Sequence, residues 1–169
     1  GNALSLSAEA LSFSGLARKL APVRDGTVAL DKGGRLLCMA LAVDGLASRL
    51  KVYGAARRRP ELQKLLLAAV DEMKTSCVAP EALMTAAAAC GGALGDKLGD
   101  MALIAAAYDA VVSNGRADPS DRLTRLAQSL PQSGFDPGSA VYIDGFIDFT
   151  AQEQRVIEAL LKTGADVTV

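Results

Sequence analysis

The chain has 169 residues, enough for one domain or for one domain with a fragment of another. Half are hydrophobic but only 4% are aromatic, and the absence of His removes the commonest general base and the commonest metal ligand. Eighteen basic against nineteen acidic residues leave a net charge of −1. No global basic field exists to hold nucleic acid, so any such contact has to come from a local patch.

Cys38, Cys77 and Cys90 are too far apart for a CxxC ligand set, and each lies in a helical pattern beside apolar residues. They are expected as buried free thiols in a reducing compartment. The sequence holds neither a long apolar run nor a signal-peptide pattern, and a soluble cytoplasmic protein with no membrane partner is expected. Gly1-Asn2-Ala3 reads as a cloning remnant.

In chain order, Ala10 to Leu20 begins with an apolar/polar alternation and turns helical at Gly15, predicting a short strand that runs into a helix. Pro22 and Asp25-Gly26 close it, and Thr27 to Leu30 is expected to be briefly extended. Asp31 caps a helix predicted from Lys32 to Tyr53, striped by Leu36, Met39, Val43, Leu46, Leu50 and Tyr53. Gly54 ends it, and the loop that follows carries Arg57-Arg58-Arg59.

The cleanest amphipathic face follows: Leu62, Leu65, Leu66, Ala69, Val70 and Met73, on a helix from Glu61 to about Thr75. Pro80 opens a shorter helix reaching Cys90, with Glu81 complementing its dipole, and Gly91-Gly92 breaks it. Leu94, Leu98, Met101, Ala105, Tyr108 and Val112 stripe the next helix, which Asn114-Gly115 ends. Asp118-Pro119 starts another, with Leu123, Leu126 and Leu130 inward until Pro131.

A linker from Gln132 to Ser139 leads to Ala140–Ile143, a run suited to a buried strand, and then to Asp144-Gly145. Thr150 and Glu153 have the spacing of a capping box. The helix they open presents Val156, Ile157, Leu160 and Leu161, stops at Gly164, and is followed by the apolar run Val167–Val169. Strand, helix and strand with short joints make a parallel βαβ unit, whose strand ends are where ligands are met. The predicted fold is mainly α with a small α/β part. Residues 1–30 form a leading strand and helix, 31–131 an all-helical insertion, and 132–169 the linker and the strand-helix-strand unit. Sheets usually have about five or six strands, so most of the parent α/β domain is expected to lie outside this chain.

The run Tyr142-Ile143-Asp144-Gly145-Phe146-Ile147-Asp148-Phe149-Thr150-Ala151-Gln152-Glu153 resembles the acidic strand motif in the helicase-like part of AddB. That family supplies one subunit of the bacterial AddAB helicase–nucleases and is related to superfamily-one DNA helicases. Leu11-Ser12-Phe13-Ser14-Gly15-Leu16-Ala17-Arg18-Lys19-Leu20 is similar to the helicase segment reading Thr-Phe-His-Gly-Leu-Ala. Leu30–Leu36 and Lys97–Ile104 fit the family's helical subdomain. The resemblance covers nearly the whole chain and implies a helical insertion subdomain attached to a partial RecA-like parallel sheet.

It further implies a heterodimeric ATP-dependent helicase/exonuclease that processes double-strand DNA ends for recombinational repair. An AddA-like helicase subunit is the implied partner, DNA (single strands or duplex ends) the substrate, and ATP/Mg²⁺ and an iron–sulfur cluster the parent's cofactors. None of the nuclease or cluster ligands is expected in this chain. Active helicases end the motif with Asp-Glu. Here Asp144 matches the Asp as a nucleotide/Mg²⁺ remnant, Gly145 replaces the water-polarising Glu, and Ile147 replaces the coupling Gln. No GxxxxGK[ST] loop occurs, so no catalytic residue is assigned and the chain is expected to be inactive alone. Glu153 is read as the cap partner and Asp148 as solvated, not as substitutes for the missing acid.

By position, Ser12, Phe13 and Ser14, followed by Arg18 and Lys19, are the implied DNA contacts. Beside that reading stands a structural one, with Phe13 and Leu16 in the core and the charges solvated. Arg57, Arg58 and Arg59 would contact phosphates, or else form a solvated loop tip. Two rivals to a degenerate scaffold remain: a truncated but active helicase ATPase, and a self-contained helical protein–protein module.

Overall fold

The computed structural model describes residues 8–169. Gly1-Asn2-Ala3 lies outside the described residues. Helix α1 (Phe13–Leu20) opens the fold: the Ser12 hydroxyl accepts from the Gly15 amide at 3.1 Å, satisfying one of the bare N–H groups of the first turn. The strand expected at its front is not formed. Residues 8–12 have no regular structure, because the polar half of the alternation, Ser12, is engaged as a cap.

Strand β1 (Val28–Ala29) pairs in parallel with β2 (Arg116–Ala117). Between them run α2 (Lys32–Gly45), α3 (Pro60–Thr75), α4 (Pro80–Cys90) and α5 (Gly92–Ser113). The helical segment is thus the crossover of one parallel pair. Pro119–Asp121 forms a single 3-10 turn, and α6 (Arg122–Ser129) follows. Strand β3 (Ala140–Tyr142) then pairs in parallel with β4 (Asp166–Thr168) across α7 (Ala151–Lys162), with Val141 opposite Val167. That is the predicted strand-helix-strand unit, in two separate two-stranded sheets rather than one larger one among the described residues.

There are two cores. Cys38, Met39, Val43, Leu46, Leu50, Leu66, Val70, Ile104, Tyr108 and Val112 close the first, between α2, α3 and α5. The second gathers Ala17, Leu126, Leu130, Val156, Ala159 and Leu160, from α1, α6 and α7. Burying a Leu- or Val-sized side chain contributes about 1.5–3 kcal/mol, so each core is a substantial share of the fold's driving force.

Several stripes sit differently from their prediction. The helix expected to reach Tyr53 stops at Gly45, although Leu46 and Leu50 are still buried. The reason is Asp100 of α5: its carboxylate accepts from the amides of Lys51, Val52 and Tyr53 at 2.7–3.0 Å and holds that stretch as turns. On α3 Leu65 is 67% exposed and Leu67 is buried instead. On α5 Leu94 faces out because the neighbouring Gly95 packs on α4, where a Cβ would sit 2.7 Å from the Ala87 carbonyl.

The strand read as buried is only half-buried, at Val141 and Ile143; Tyr142 is 77% exposed, since this two-stranded sheet covers one face alone. Of the three thiols only Cys38 is buried. Cys77 is half-buried, in a left-handed turn (φ 54°) after α3, and Cys90 is exposed at the end of α4, a helix with no fully buried residue.

Candidate functional site

The Asp144 turn is built from local chemistry. β3 ends at Tyr142, and Asp144 accepts from the next amide, Gly145 N–H, at 2.7 Å. Gly145 turns the chain at φ 84°, a conformation that strains any residue with a Cβ. Asp148 repeats the arrangement with the Phe149 amide at 2.7 Å. The capping box is present as the spacing predicts: Glu153 Oε2 accepts from the Thr150 amide at 2.9 Å, and Thr150 Oγ1 accepts from the Glu153 amide at 3.3 Å. Glu153 is therefore engaged as the cap partner and Asp148 is exposed.

Phe13 of α1 meets this turn. Its ring lies 5.3 Å from that of Phe146, edge to face, and 6.4 Å from Phe149, while Phe146 and Phe149 stack at 5.2 Å. The fold thus brings the Ser12–Ser14 segment and the acidic turn together, two stretches more than 120 residues apart in the chain. Ser12 serves as the helix cap, Ser14 is exposed, and Lys19 pairs with Glu9. Phe146 is partly exposed and Ile147 fully so. Asp144 offers one exposed carboxylate, and no group of three His, Cys, Asp or Glu able to hold a metal occurs among the described residues. A lone carboxylate does not make an all-protein Mg²⁺ cage, although a nucleotide-borne Mg²⁺ needs only one or two, and the three separate cysteines do not make the four-thiolate set of an iron–sulfur cluster.

Arg57, Arg58 and Arg59 lie elsewhere, on the loop between Tyr53 and α3. Arg57 and Arg58 both reach Asp44 Oδ1, each through Nε at 3.3 Å, and Arg57 Nη1 also donates to the Gly54 carbonyl. Hydrogen bonds and charge from the two arginines hold the Asp44 carboxyl below its ordinary range. The run is partly neutralised, and only Arg59 has no ion-pair partner among the described residues. An acid at the C-terminal end of a helix, as Asp44 is, opposes the helix dipole and so hints at a cationic partner.

The most enclosed polar cluster was invisible to motif reading. Asp118 has 0% exposure and accepts from Tyr108 Oη at 2.7 Å and, through Oδ1, from the Ser120 amide at 2.9 Å. Arg35 Nε lies 2.9 Å from it as an ion-pair contact, and Arg35 also grips Asp71. Lys74 reaches Asp109, Asp118 and Asp121 at 2.8–3.4 Å. Burial would raise the Asp118 carboxyl, but the Ser120 amide, the Tyr108 hydroxyl and the two cations outweigh it and hold it low. Burial and the Asp118 charge together push the Tyr108 phenol well above its usual range. Burial works against the charge of Lys74, yet Asp121 and Asp109 raise it on balance. Gln152 of α7 donates to the Ser120 carbonyl at 2.9 Å and to Thr124 Oγ1 at 3.0 Å, tying the second core to this cluster. Apart from the Ser120 amide bond within its own turn, the bonds to Asp118 come from other elements, and the chemistry they serve is structural: no open face for a reacting group remains at Asp118.

The whole chain, residues 1–169, matches the family model described as ADDB, N-terminal. The chain belongs to that family. Among its AddB relatives is an ATP-dependent helicase/deoxyribonuclease subunit from Desulforamulus reducens, 33% identical over 96% of this chain and 14% of the relative. The protein of the same name from Pelotomaculum thermopropionicum is 34% identical over 96% of this chain and 15% of the relative, and the one from Thermoanaerobacter sp. is 33% identical over 96% of this chain and 14% of the relative. The chain spans about a seventh of the length of these curated relatives. No helix among the described residues is long and apolar enough to cross a membrane.

Proposed function

We propose that this chain is the N-terminal part of the AddB-type component of a heterodimeric, ATP-dependent DNA helicase/exonuclease that processes double-strand ends for recombinational repair in the cytoplasm. An AddA-like subunit is the partner and the motor, and DNA, as single strands or duplex ends, is the substrate. Within that machine this segment is a degenerate helicase scaffold: a helical insertion joined to part of a RecA-like sheet, the remainder of which lies in the rest of the AddB-type protein. ATP/Mg²⁺ and iron–sulfur chemistry belong to other parts of the parent complex.

Support comes from family membership and from one observation above the others, the Asp144–Gly145 junction. A helicase pocket needs a second acid beside the Mg²⁺-ordering Asp to polarise the attacking water. Here that place is held by a glycine whose φ of 84° is strained for any other residue, and one oxygen of Asp144 is engaged by the adjoining amide. The same observation disfavours the truncated active ATPase. In the reconstituted heterodimer, Asp144→Ala is expected to leave the DNA-stimulated ATP hydrolysis rate within twofold of wild type. A loss of tenfold or more would sink the scaffold reading and restore the active-pocket one.

A further inference from the structure

Where α1, β1, β2 and α6 meet, arginines gather that no acid answers. A cavity of about 340 Å³ is lined by Arg18, Arg122 and Arg125. A second, of about 560 Å³, is lined by Arg24, Arg116 and Arg125. They share Ala21, Pro22, Val23, Ala117 and Arg125, and so form one continuous cleft.

None of the five arginines makes an ion pair among the described residues. Asp109, Asp118 and Asp121 also line the second chamber, but all three pair with Lys74, and Asp118 with Arg35 as well. The bonds the cleft arginines do make go to carbonyls: Arg116 Nη1 to Val111 and Asn114, and Arg125 Nη1 to Asp118 at 3.1 Å. Arg125 Nε is buried with no acceptor, and a buried donor left without a partner is costly unless a ligand supplies one.

We infer that this cleft grips the sugar–phosphate backbone of a single DNA strand. Five guanidinium groups spread along two joined chambers match a row of phosphates better than one isolated anion, and the fork of Arg suits phosphate oxygens. Ser113, Thr124 and Gln128 on the walls add the hydroxyl and amide groups that commonly contact phosphate and sugar. No aromatic residue lines either chamber, so the grip does not read bases by stacking. Cavities of this size hold ligands of drug dimensions, the scale of a nucleotide or two of one strand. The assignment rests on the parent complex acting on DNA. It places the contact on α6 and the two short strands, away from the Phe13–Asp144 turn and from Arg57–Arg59; of these arginines the resemblance singled out only Arg18.

The test uses the full-length AddB-type protein in complex with its partner. Gln128, exposed at the cleft, is replaced by the photo-cross-linker p-benzoylphenylalanine, and a 5′-labelled oligo(dT) is the probe. Irradiation is expected to join the labelled strand to the protein at this position. The yield should fall at least fivefold in Arg18→Gln/Arg122→Gln, a pair that makes no side-chain hydrogen bond or ion pair among the described residues, and should fall likewise on raising salt from about 50 to 200 mM. Arg18→Lys/Arg122→Lys should keep most of the yield.

A complex that degrades a duplex end normally but gives no cross-link at position 128 overturns the cleft alone. So does a cross-link insensitive to the double variant. A cross-link to the partner protein in place of the oligonucleotide, or one competed equally well by poly-glutamate of matched charge, assigns the cleft to an acidic peptide and overturns it too. A wild-type complex that neither unwinds nor degrades duplex ends brings down the parent function, and the cleft with it.

Discussion

The core of α2, α3 and α5 closes on Asp118, a carboxylate with no exposed surface that Tyr108, Ser120, Arg35 and Lys74 all address. The core of α1, α6 and α7 leads instead to the Asp144 turn, where the acid's partner is the next amide and Phe146 and Ile147 face outward. Both acids follow a short strand or its equivalent, and neither is identifiable by motif alone as structural or functional. What separates them is solvation. A buried charge has to be matched by several fixed partners, whereas an exposed one is satisfied by water and one amide. The charges of the first region are therefore matched from within. Both regions carry a two-stranded sheet with unpaired outer edges among the described residues, and the second also turns Phe146 and Ile147 outward beside its acid.

That contrast can be broken by substitution. Removing the carboxylate in Asp118→Ala takes away the buried acid that Arg35 and Lys74 share, leaves the Tyr108 hydroxyl without its acceptor, and should destabilise the chain by about 3–5 kcal/mol, measured as a shift in urea midpoint followed by circular dichroism. A loss under about 1 kcal/mol would mean that water reaches the cluster freely.

Tyr108→Phe deletes one charge-assisted hydrogen bond at constant shape and should cost about 1.5–3 kcal/mol. It should also change the alkaline limb of stability. Tyr108 and Lys74 both hold their protons more tightly when folded than when unfolded. Their contribution is therefore complete below about pH 10, where the unfolded groups begin to titrate, and is lost as pH rises through the folded values. The wild-type urea midpoint should fall between about pH 10 and 12, and Tyr108→Phe should flatten part of that slope; an unchanged slope would place the phenol outside the titrating set.

At the other end of the scale, Asp144→Ala should leave the melting temperature unchanged, since the side chain is exposed and its bond is to its own neighbour. A clear drop would show that the turn is held by this acid and not by Gly145.

The features legible in the sequence are those whose partners are close along the chain. Thr150 and Glu153, three residues apart, announced their helix, Pro80 marked another helix start, and the helix expected from Glu61 opens one residue earlier, at Pro60. The parallel pairing of the two strands around α7 followed because one helix with short joints leaves little freedom, though not its register. What stayed hidden depended on distant partners. Leu65 and Leu67 both suit a helix face, and only the packing of α3 against α2 and α5 decides between them. The paired state of Arg57 and Arg58 needed Asp44, on another helix, to be brought beside them. The cleft arginines come from four separate segments, so no local pattern could have grouped them.

Asp100 carries a consequence for how the molecule is made. The three amides it fastens lie 47 to 49 residues earlier in the chain. During synthesis the stretch from Leu46 to Tyr53 emerges long before the group that fixes its shape, and in isolation its leucine spacing favours continuing the helix from Gly45. The turn conformation of this stretch is therefore fixed only once α5 is in place.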